Sequence, residues 1–285
     1  MENRIVKGLR FGKRFILDGK WSDDLPRLFI EEGIEELVVG ELRGAVRDSI
    51  DFLAQVPWMK SFMLSDLLIK DISGVHFLTE LRSLDMSDYS GKPIDFSHFP
   101  YLDQCYLEFN KGRASVGRCQ SLRDLSLQHY CYRDLSPLTS LSNLTSLWFS
   151  QGSLGDVSEI GAFPELRKLS LLLLRNLKDF SPIAGLKELT ELNLQCSKGI
   201  DKLDSLATMG ALRSLNLVDC GDIESLAPLE ACPKLESLCF GGDTKILDGD
   251  ITPVLRIPNL KSVLFANRRS YNLKRQDMPE RLRRG

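Results

Sequence analysis

The sequence predicts an α/β repeat solenoid: a curved stack of short turns with a parallel β-sheet on the concave face and short 3₁₀ or irregular return segments on the convex face. Two observations support this fold. The pattern L-x-x-L-x-L occurs eleven times in 285 residues, and successive copies begin 20 to 25 residues apart. Internal repetition at such a period is typical of solenoids. The copies begin at Ile34, Met59, Leu81, Leu102, Leu122, Leu144, Leu166, Leu189, Leu212, Leu235 and Leu260.

Each copy of the pattern predicts one β-strand. In LTELNL (residues 189–194), Leu192 and Leu194 alternate with Asn193, so the two leucines face inward and the asparagine faces outward. A single turn cannot bury its leucines, so it is stable only when stacked on its neighbours. Parallel sheets are usually covered on both faces. Because the outward positions here are mostly polar, we expect that face to be open to solvent or to a partner.

The return half of each repeat predicts a single 3₁₀ turn. It carries Asp, an apolar residue and Ser, as in Asp134-Leu135-Ser136, followed by Pro137 and Leu138. Asp and Ser cap short helices, and proline suits a first-turn position. The stretch DLSPLTSLSNLTSLWF (134–149) resembles the leucine-rich repeats of bacterial internalins and the Sds22-like repeats of phosphatase regulators. This resemblance covers roughly residues 34–265, and it implies the fold but not the function.

The sequence departs from those repeats at one position. An asparagine is expected three residues after the last strand leucine, and Asn110 occupies that place in one repeat. Because the asparagine is missing elsewhere, we expect other groups to satisfy the buried backbone of these turns. The replacements are Tyr130, Gly152, Leu174, Ser197, Cys220 and Asp243.

The two ends differ from the repeats in sequence and charge. Residues 1–33 are predicted to form an N-terminal cap of short strands and a short helix, residues 34–265 the solenoid, and residues 266–285 a basic C-terminal cap or tail. The whole chain carries a formal net charge of −2, with +1 in residues 1–33 and +5 in residues 266–285, which leaves −8 for residues 34–265. The tail either covers the last hydrophobic turn or contacts nucleic acid or anionic lipid. We favour the first, because Tyr271 is its only aromatic residue.

The sequence predicts a cytoplasmic protein without metal or cofactor. Its first residues, MENRIVKGLRFGKRF, contain basic groups but no apolar segment of the kind that follows them in export signals, and we expect no membrane span. The seven cysteines are an odd number, with no C-x-x-C pair and no Cys–His cluster at zinc spacing. Reduced thiols are therefore expected.

No catalytic constellation is visible. His76 and His98 occupy equivalent return-segment positions, away from the sheet. The triplet Cys220 to Asp222 is similar to the nucleophile motif of bacterial repeat-containing ubiquitin ligases, but that motif lies in a helical domain that we do not find in this sequence. No phosphate-binding glycine loop occurs. We expect a protein that is not an enzyme.

The outward residues of the predicted sheet form the candidate binding site. Adjacent strands of a sheet lie about 5 Å apart, so Tyr106, His129 and Trp148 are predicted to cluster, with acidic residues beside them. Aromatic residues anchor protein interfaces, and flanking charge steers the partner. The alternative is that the aromatic side chains simply pack on a partly covered sheet. The predicted partner-binding residues are Asp66, Asp85, Asp88, Tyr106, Glu108, Phe109, Gln128, His129, Trp148 and Gln151.

The function expected from these features is non-enzymatic binding of a basic protein by a chain that is monomeric when free, with neither nucleic acid nor membrane as partner. One version is an immunity protein that neutralises a toxin, as acidic repeat solenoids mask basic nucleases; this version is an analogy of fold. Two alternatives stay open: a phosphatase regulator or signalling scaffold of the Sds22 type, and an effector delivered into host cells.

Overall fold

The computed structural model describes residues 3–40, 48–65, 69–87 and 91–283. The chain forms two compact units, residues 1–128 and 129–285. Each unit consists of short strands that alternate with short return segments. The predicted α/β repeat solenoid is confirmed.

Unit one begins with an antiparallel hairpin, in which β1 pairs with β2, and continues with parallel strands in chain order from β2 to β7. The helix α1 lies between β2 and β3. It ends at Gly33, whose φ of 64° gives the left-handed turn that closes many helices. The elements are β1 (Arg4–Lys7), β2 (Lys13–Leu17), α1 (Leu25–Glu32), β3 (Ile34–Val39), β4 (Ser61–Leu64), β5 (Ser83–Met86), β6 (Gln104–Glu108) and β7 (Asp124–Tyr130), whose last two residues belong to unit two.

Unit two continues the same pattern. Its strands β8, β9, β10, β11, β13 and β15 pair in parallel in that order, and β12 and β14 form a separate two-residue parallel pair. The elements are β8 (Ser146–Gly152), β9 (Lys168–Leu172), β10 (Glu191–Gln195), β11 (Ser214–Val218), β12 (Asp222–Ile223), β13 (Ser237–Gly241), β14 (Lys245–Ile246), α2 (Pro253–Arg256), β15 (Ser262–Phe265) and α3 (Glu280–Arg283).

The leucines of the repeated pattern form the core. Leu192 on β10 lies directly beside Leu215 on β11, and each side chain is 1% exposed. The residues that follow them in sequence, Asn193 and Asn216, face the other way and are half-buried. The inward and outward positions therefore follow the predicted alternation. We call the side of the sheet that carries these asparagines the outward face.

Most return segments of the described residues are 3₁₀ helices, as predicted, while the one before β15 is the short α-helix α2. Before five of these segments an aspartate accepts a hydrogen bond from the backbone N–H of the serine two residues later, for example 2.8 Å from Asp156 to Ser158 and from Asp179 to Ser181. This bond satisfies a free N–H at the start of the helix. The segments are Asp51–Gln55, Ser73–Phe77, Phe96–His98, Lys111–Arg118, Ser136–Leu138, Ser158–Ala162, Ser181–Gly185, Asp204–Thr208, Ala227–Ala231 and Arg275–Asp277.

Three smaller side chains replace the missing asparagines in unit two. Ser197 Oγ lies 3.4 Å from the carbonyl oxygen of Leu171, Cys220 Sγ donates to that of Leu194 at 3.1 Å, and Thr244 Oγ1 donates to that of Leu217 at 2.7 Å. Each side chain therefore contacts the backbone of the strand in the preceding repeat. The backbone N–H of Cys220 in turn donates to Thr244 Oγ1 at 2.9 Å. In the last of these turns the ladder residue is Thr244 and not the expected Asp243, one position earlier.

Left-handed residues recur where the strands of unit two end. The φ angles at these positions lie between 53° and 61°, a region that is costly for residues other than glycine. Each residue redirects the chain from the strand into the return segment. They are His129, Gln151, Leu173, Cys196 and Asp219, and Gly242 takes the same conformation one turn later at φ 60°.

The end of unit two packs against its last turns. Tyr271, Met278 and Leu282 are buried. Basic side chains of the same segment donate to backbone carbonyls: Arg268 Nη2 to Gly242 at 2.6 Å, and Arg281 Nη1 to Leu260 at 2.8 Å. These contacts favour a capping role for the basic segment.

Candidate functional site

The loop of the N-terminal hairpin is fixed on the outward face of unit one by Glu36. This carboxylate is 1% exposed and accepts hydrogen bonds from the backbone N–H groups of Leu9, Arg10 and Phe11 at 3.0, 2.6 and 2.7 Å. Arg14 Nε donates to it at 2.8 Å. Burial opposes its ionisation, but the backbone bonds and Arg14 together lower the pKa of Glu36. The loop is therefore held around a buried carboxylate.

From this loop Arg10 reaches across to the strand β6. Its guanidinium contacts both carboxylate oxygens of Asp103, at 2.6 and 3.2 Å, and Gln104 Oε1 at 3.3 Å. The hydrogen bond with Asp103 raises the pKa of Arg10. A two-point contact of this kind is the preferred geometry between arginine and a carboxylate. The hairpin loop therefore covers this part of the outward face, which the sequence analysis favoured as open and gave as partly covered only in the alternative.

Tyr106 belongs to the same polar network. Its hydroxyl donates to Asp124 Oδ2 at 3.2 Å and accepts a hydrogen bond of 2.8 Å from Gln104 Nε2. Burial and the negative charge of Asp124 raise the pKa of Tyr106. Arg10, Asp103, Gln104 and Asp124 were not among the predicted site residues. The one available signal was an arginine in a hairpin loop between Gly8 and Gly12, and sequence alone does not show where such a loop lies.

Other predicted residues of unit one lie on the outward face. Asp85 is half-buried beside Tyr106 in the register of β5 and β6, and burial raises the pKa of its carboxyl group. Glu108 and Gln128 are half-buried neighbours on β6 and β7. Asp66 and Asp88 lie outside the described residues.

The prediction that Phe109 is an outward binding residue is wrong. Its side chain is 4% exposed and belongs to the core. His129 and Gln151, at the equivalent positions of later repeats, have a positive φ and leave the alternation of the strand. Phe109 lacks this conformation, so the alternation continues and turns its side chain inward.

In unit two, His129 and Gln151 contact each other. His129 Nε2 lies 2.9 Å from Gln151 Oε1, and both residues are exposed. Trp148 is half-buried on the outward face of β8, as predicted for its position in the pattern. The predicted clustering of Tyr106 with His129 and Trp148 stays a prediction.

Two neighbouring asparagines add unused acceptors to the outward face of unit two. Asn193 and Asn216 are paired in register on β10 and β11. The Oδ1 atom of each is buried and has no hydrogen-bond partner among the described residues. Buried acceptors are costly when they are unsatisfied.

The cysteines and histidines form no further site. None of the seven cysteines, all within the described ranges, is in a disulfide. Burial raises the pKa of the Cys119 thiol to about 12 and those of Cys220 and Cys232 to about 11. Over residues 3–40, 48–65, 69–87 and 91–283, no group of three or more His, Cys, Asp or Glu side chains could hold a metal ion. No helix of the described chain is long and apolar enough to cross a membrane.

Solved structures that are similar to this chain include an internalin and a leucine-rich repeat protein. The internalin InlF of Listeria monocytogenes aligns with a TM-score of 0.60 and 18% identity, over 90% of this chain and 83% of its own. A Leptospira interrogans leucine-rich repeat protein gives a TM-score of 0.60 and 17% identity, over 88% of this chain and 76% of its own. The fold is that of a leucine-rich repeat protein. No protein-family model and no curated protein matches the sequence. The outward face is the face of the β-sheet in this fold. The candidate site residues described above lie on that face or at its edge.

Proposed function

We propose that this leucine-rich repeat protein is a non-enzymatic binding module that takes a basic protein partner on the outward face of its sheet. The observation that carries the proposal is the Arg10 contact: the face already holds one guanidinium, on Asp103 and Gln104. An arginine or lysine of a partner could form the same kind of ion pair and hydrogen bond with acidic and amide side chains of this face. Repeat solenoids commonly bind partners on an extended surface of this kind.

Charge and unsatisfied polar groups support a basic partner. Residues 34–265 carry a formal charge of −8, because the whole chain carries −2 while residues 1–33 and 266–285 carry +1 and +5. In unit one, Asp85 and Asp124 lie on the outward face. In unit two, Asn193 and Asn216 offer acceptors. Charge complementarity of this type speeds association and selects the partner.

The specific version that we favour is an immunity protein that neutralises a basic toxin in the cytoplasm. An acidic surface suits the masking of a basic enzyme, and this step remains an analogy of fold. The identity of the partner separates this version from an Sds22-like phosphatase regulator or scaffold, and from an effector that acts in host cells. A small basic toxin as the partner would support the immunity protein. A phosphatase or kinase would support the regulator or scaffold, and a host protein would support the effector.

The test is capture of a partner followed by substitutions on the two faces. The immobilised protein is exposed to lysate, and the retained protein is identified and its affinity measured. Trp148→Ala should weaken binding roughly 30-fold or more, because aromatic anchors commonly cost about 2–4 kcal/mol when truncated. Asp124→Asn should mainly slow association and flatten its salt dependence. The matched control is Ser136→Ala, on an exposed return segment. Binding that survives joint loss of Tyr106 and Trp148 but fails on return-segment changes would refute the proposal.

A further inference from the structure

One edge of unit two carries a cluster of basic residues, opposite in sign to the net charge of the solenoid. It lies where β9 and β10 end. Here Leu173, Arg175, Lys178, Cys196 and Lys198 line a cavity of about 440 Å³. An adjoining cavity of about 500 Å³ is lined by Gln151, Gly152, Leu173, Arg175 and Asn176. No acidic or aromatic residue lines either one. We call the surface formed by Leu173, Arg175, Lys178 and Lys198 the basic edge.

Lys178 also lines a separate cavity with Asp179, Asp201 and Asp204, while Arg175 and Lys198 line the cavities described above, which have no acidic residue. Arg175, Lys178 and Lys198 are exposed, and none of them pairs with a carboxylate of the described residues. Other basic residues of the same unit do pair: Lys168 Nζ lies 2.8 Å from Glu191, and Lys202 Nζ 3.4 Å from Glu224.

The carboxylate nearest in sequence, Asp179, keeps its negative charge, because hydrogen bonds with Ser181 lower its pKa. Asp179 Oδ1 accepts a hydrogen bond of 2.8 Å from the backbone N–H of Ser181, which starts the next return segment. Clustered charge of one sign produces a field that attracts ligands of the opposite sign, and the three exposed cations outnumber this carboxylate. The basic edge is therefore available to an anion.

Leu173 supplies an apolar element between the two cavities. Its side chain is 38% exposed, although its backbone adopts a left-handed φ of 57° that disfavours leucine relative to glycine. Its N–H donates to the carbonyl oxygen of Gln195 at 2.9 Å, which fixes the residue in place. An exposed leucine with a cavity on each side is suited to contact an apolar side chain of a ligand.

We propose that the basic edge binds an acidic peptide segment of a protein partner. Carboxylates of the peptide pair with Arg175, Lys178 and Lys198, and an apolar side chain of the same segment packs on Leu173. A nucleic acid fits less well, because single strands are bound largely by stacking of bases on aromatic residues, and none lines these cavities. The site has the opposite charge preference to the outward face and does not depend on the function proposed above.

The probe is a fluorescein-labelled peptide, Glu-Glu-Leu-Glu-Glu, whose binding to the full chain is followed by fluorescence anisotropy. Two control peptides replace either the four glutamates by glutamine or the leucine by serine. A labelled thymidine oligonucleotide tests the nucleic-acid alternative. We expect the acidic peptide to bind most tightly of the four probes, and its binding to weaken as salt is raised.

Two variants and one control locate the site. Leu173→Gly removes the apolar side chain while suiting the left-handed backbone, so it should keep the circular dichroism melt of the wild type and weaken peptide binding several-fold. The double change Lys178→Ser and Lys198→Ser should weaken it roughly tenfold. Lys234→Ser, an exposed lysine of another turn, should leave binding unchanged. The inference is overturned if the wild type does not bind the acidic peptide, if the oligonucleotide binds more tightly, or if the Lys234 variant weakens binding as much as the double variant.

Discussion

The conversion of Glu36 to glutamine isolates the contribution of one buried carboxylate to the N-terminal hairpin. The backbone N–H groups of Arg10 and Phe11 donate to Oε1, while the N–H of Leu9 and Nε of Arg14 donate to Oε2. The glutamine side chain has one oxygen and one NH₂ group. Whichever way it is oriented, two of the four donors face another donor.

The expected cost follows from those two lost bonds. A hydrogen bond to a charged group contributes about 1.5–3 kcal/mol, and the loop is partly exposed, so we expect Glu36→Gln to lower the free energy of unfolding by about 2–4 kcal/mol. Urea unfolding followed by circular dichroism measures it. Glu35→Gln is the matched control, since Glu35 is partly exposed and, among the described residues, forms an ion pair only with Lys60; the change should cost about 0–1 kcal/mol.

The same variant changes the pH dependence of stability. The pKa of Glu36 is lower in the folded protein than in the unfolded chain, where a glutamate titrates at about 4.3. The stability that its carboxylate contributes is therefore fully present above the unfolded pKa, and it is lost as the pH falls through the folded pKa. Glu36→Gln should therefore lose less stability than the wild type on acidification from pH 5 to pH 3. Equal costs for Glu36→Gln and Glu35→Gln, with parallel pH profiles, would refute the role assigned to the buried carboxylate.

Three further predictions concern the core, the return segments and the thiols. Leu215→Ala should lower stability by about 2–5 kcal/mol, because the side chain is buried between Leu192 and Leu238 on adjacent strands; a melting temperature within a degree or two of the wild type would contradict the register. Burial lowers the pKa of His76, whose Nε2 atom accepts a hydrogen bond of 2.9 Å from the N–H of Asp95 and whose ring lies 4.8 Å from that of His98. Because the unfolded chain therefore takes up the proton at a higher pH than the folded protein, the free energy of unfolding should fall between pH 7.5 and 5.5. Over that range the urea midpoint should fall less in His76→Gln than in His98→Gln. A thiol reagent should count seven cysteines after denaturation without reductant, and in the native protein it should react first with the half-buried Cys131, Cys196 and Cys239; a total of five or fewer would indicate disulfides.

The parts of the fold that repeat were predictable from the sequence, because the inward position of Leu192 or Leu215 depends only on the local alternation and the period. The strand β2 was not identified as part of the parallel sheet, since Lys13–Leu17 lacks the repeated pattern. The contact of Arg10 with Asp103 joins residues 93 positions apart, and no local signal marks it. Phe109 was misplaced for a related reason. The left-handed positions that end the strands hold residues as different as His129, Leu173 and Asp219, so residue type does not reveal which repeats leave the alternation.

The bond between Arg10 and Asp103 makes the hairpin loop a tethered competitor for its own binding face. A group attached to the same chain acts at an effective concentration that reaches about millimolar for short connections. A single free cation at micromolar concentration therefore cannot displace Arg10 from Asp103. A ligand succeeds only if it gains additional contacts nearby, for example on Asp124 or Asp85, when the guanidinium is released. The loop thus selects for ligands that engage several points of the face at once, and Arg10→Ala should remove that selection.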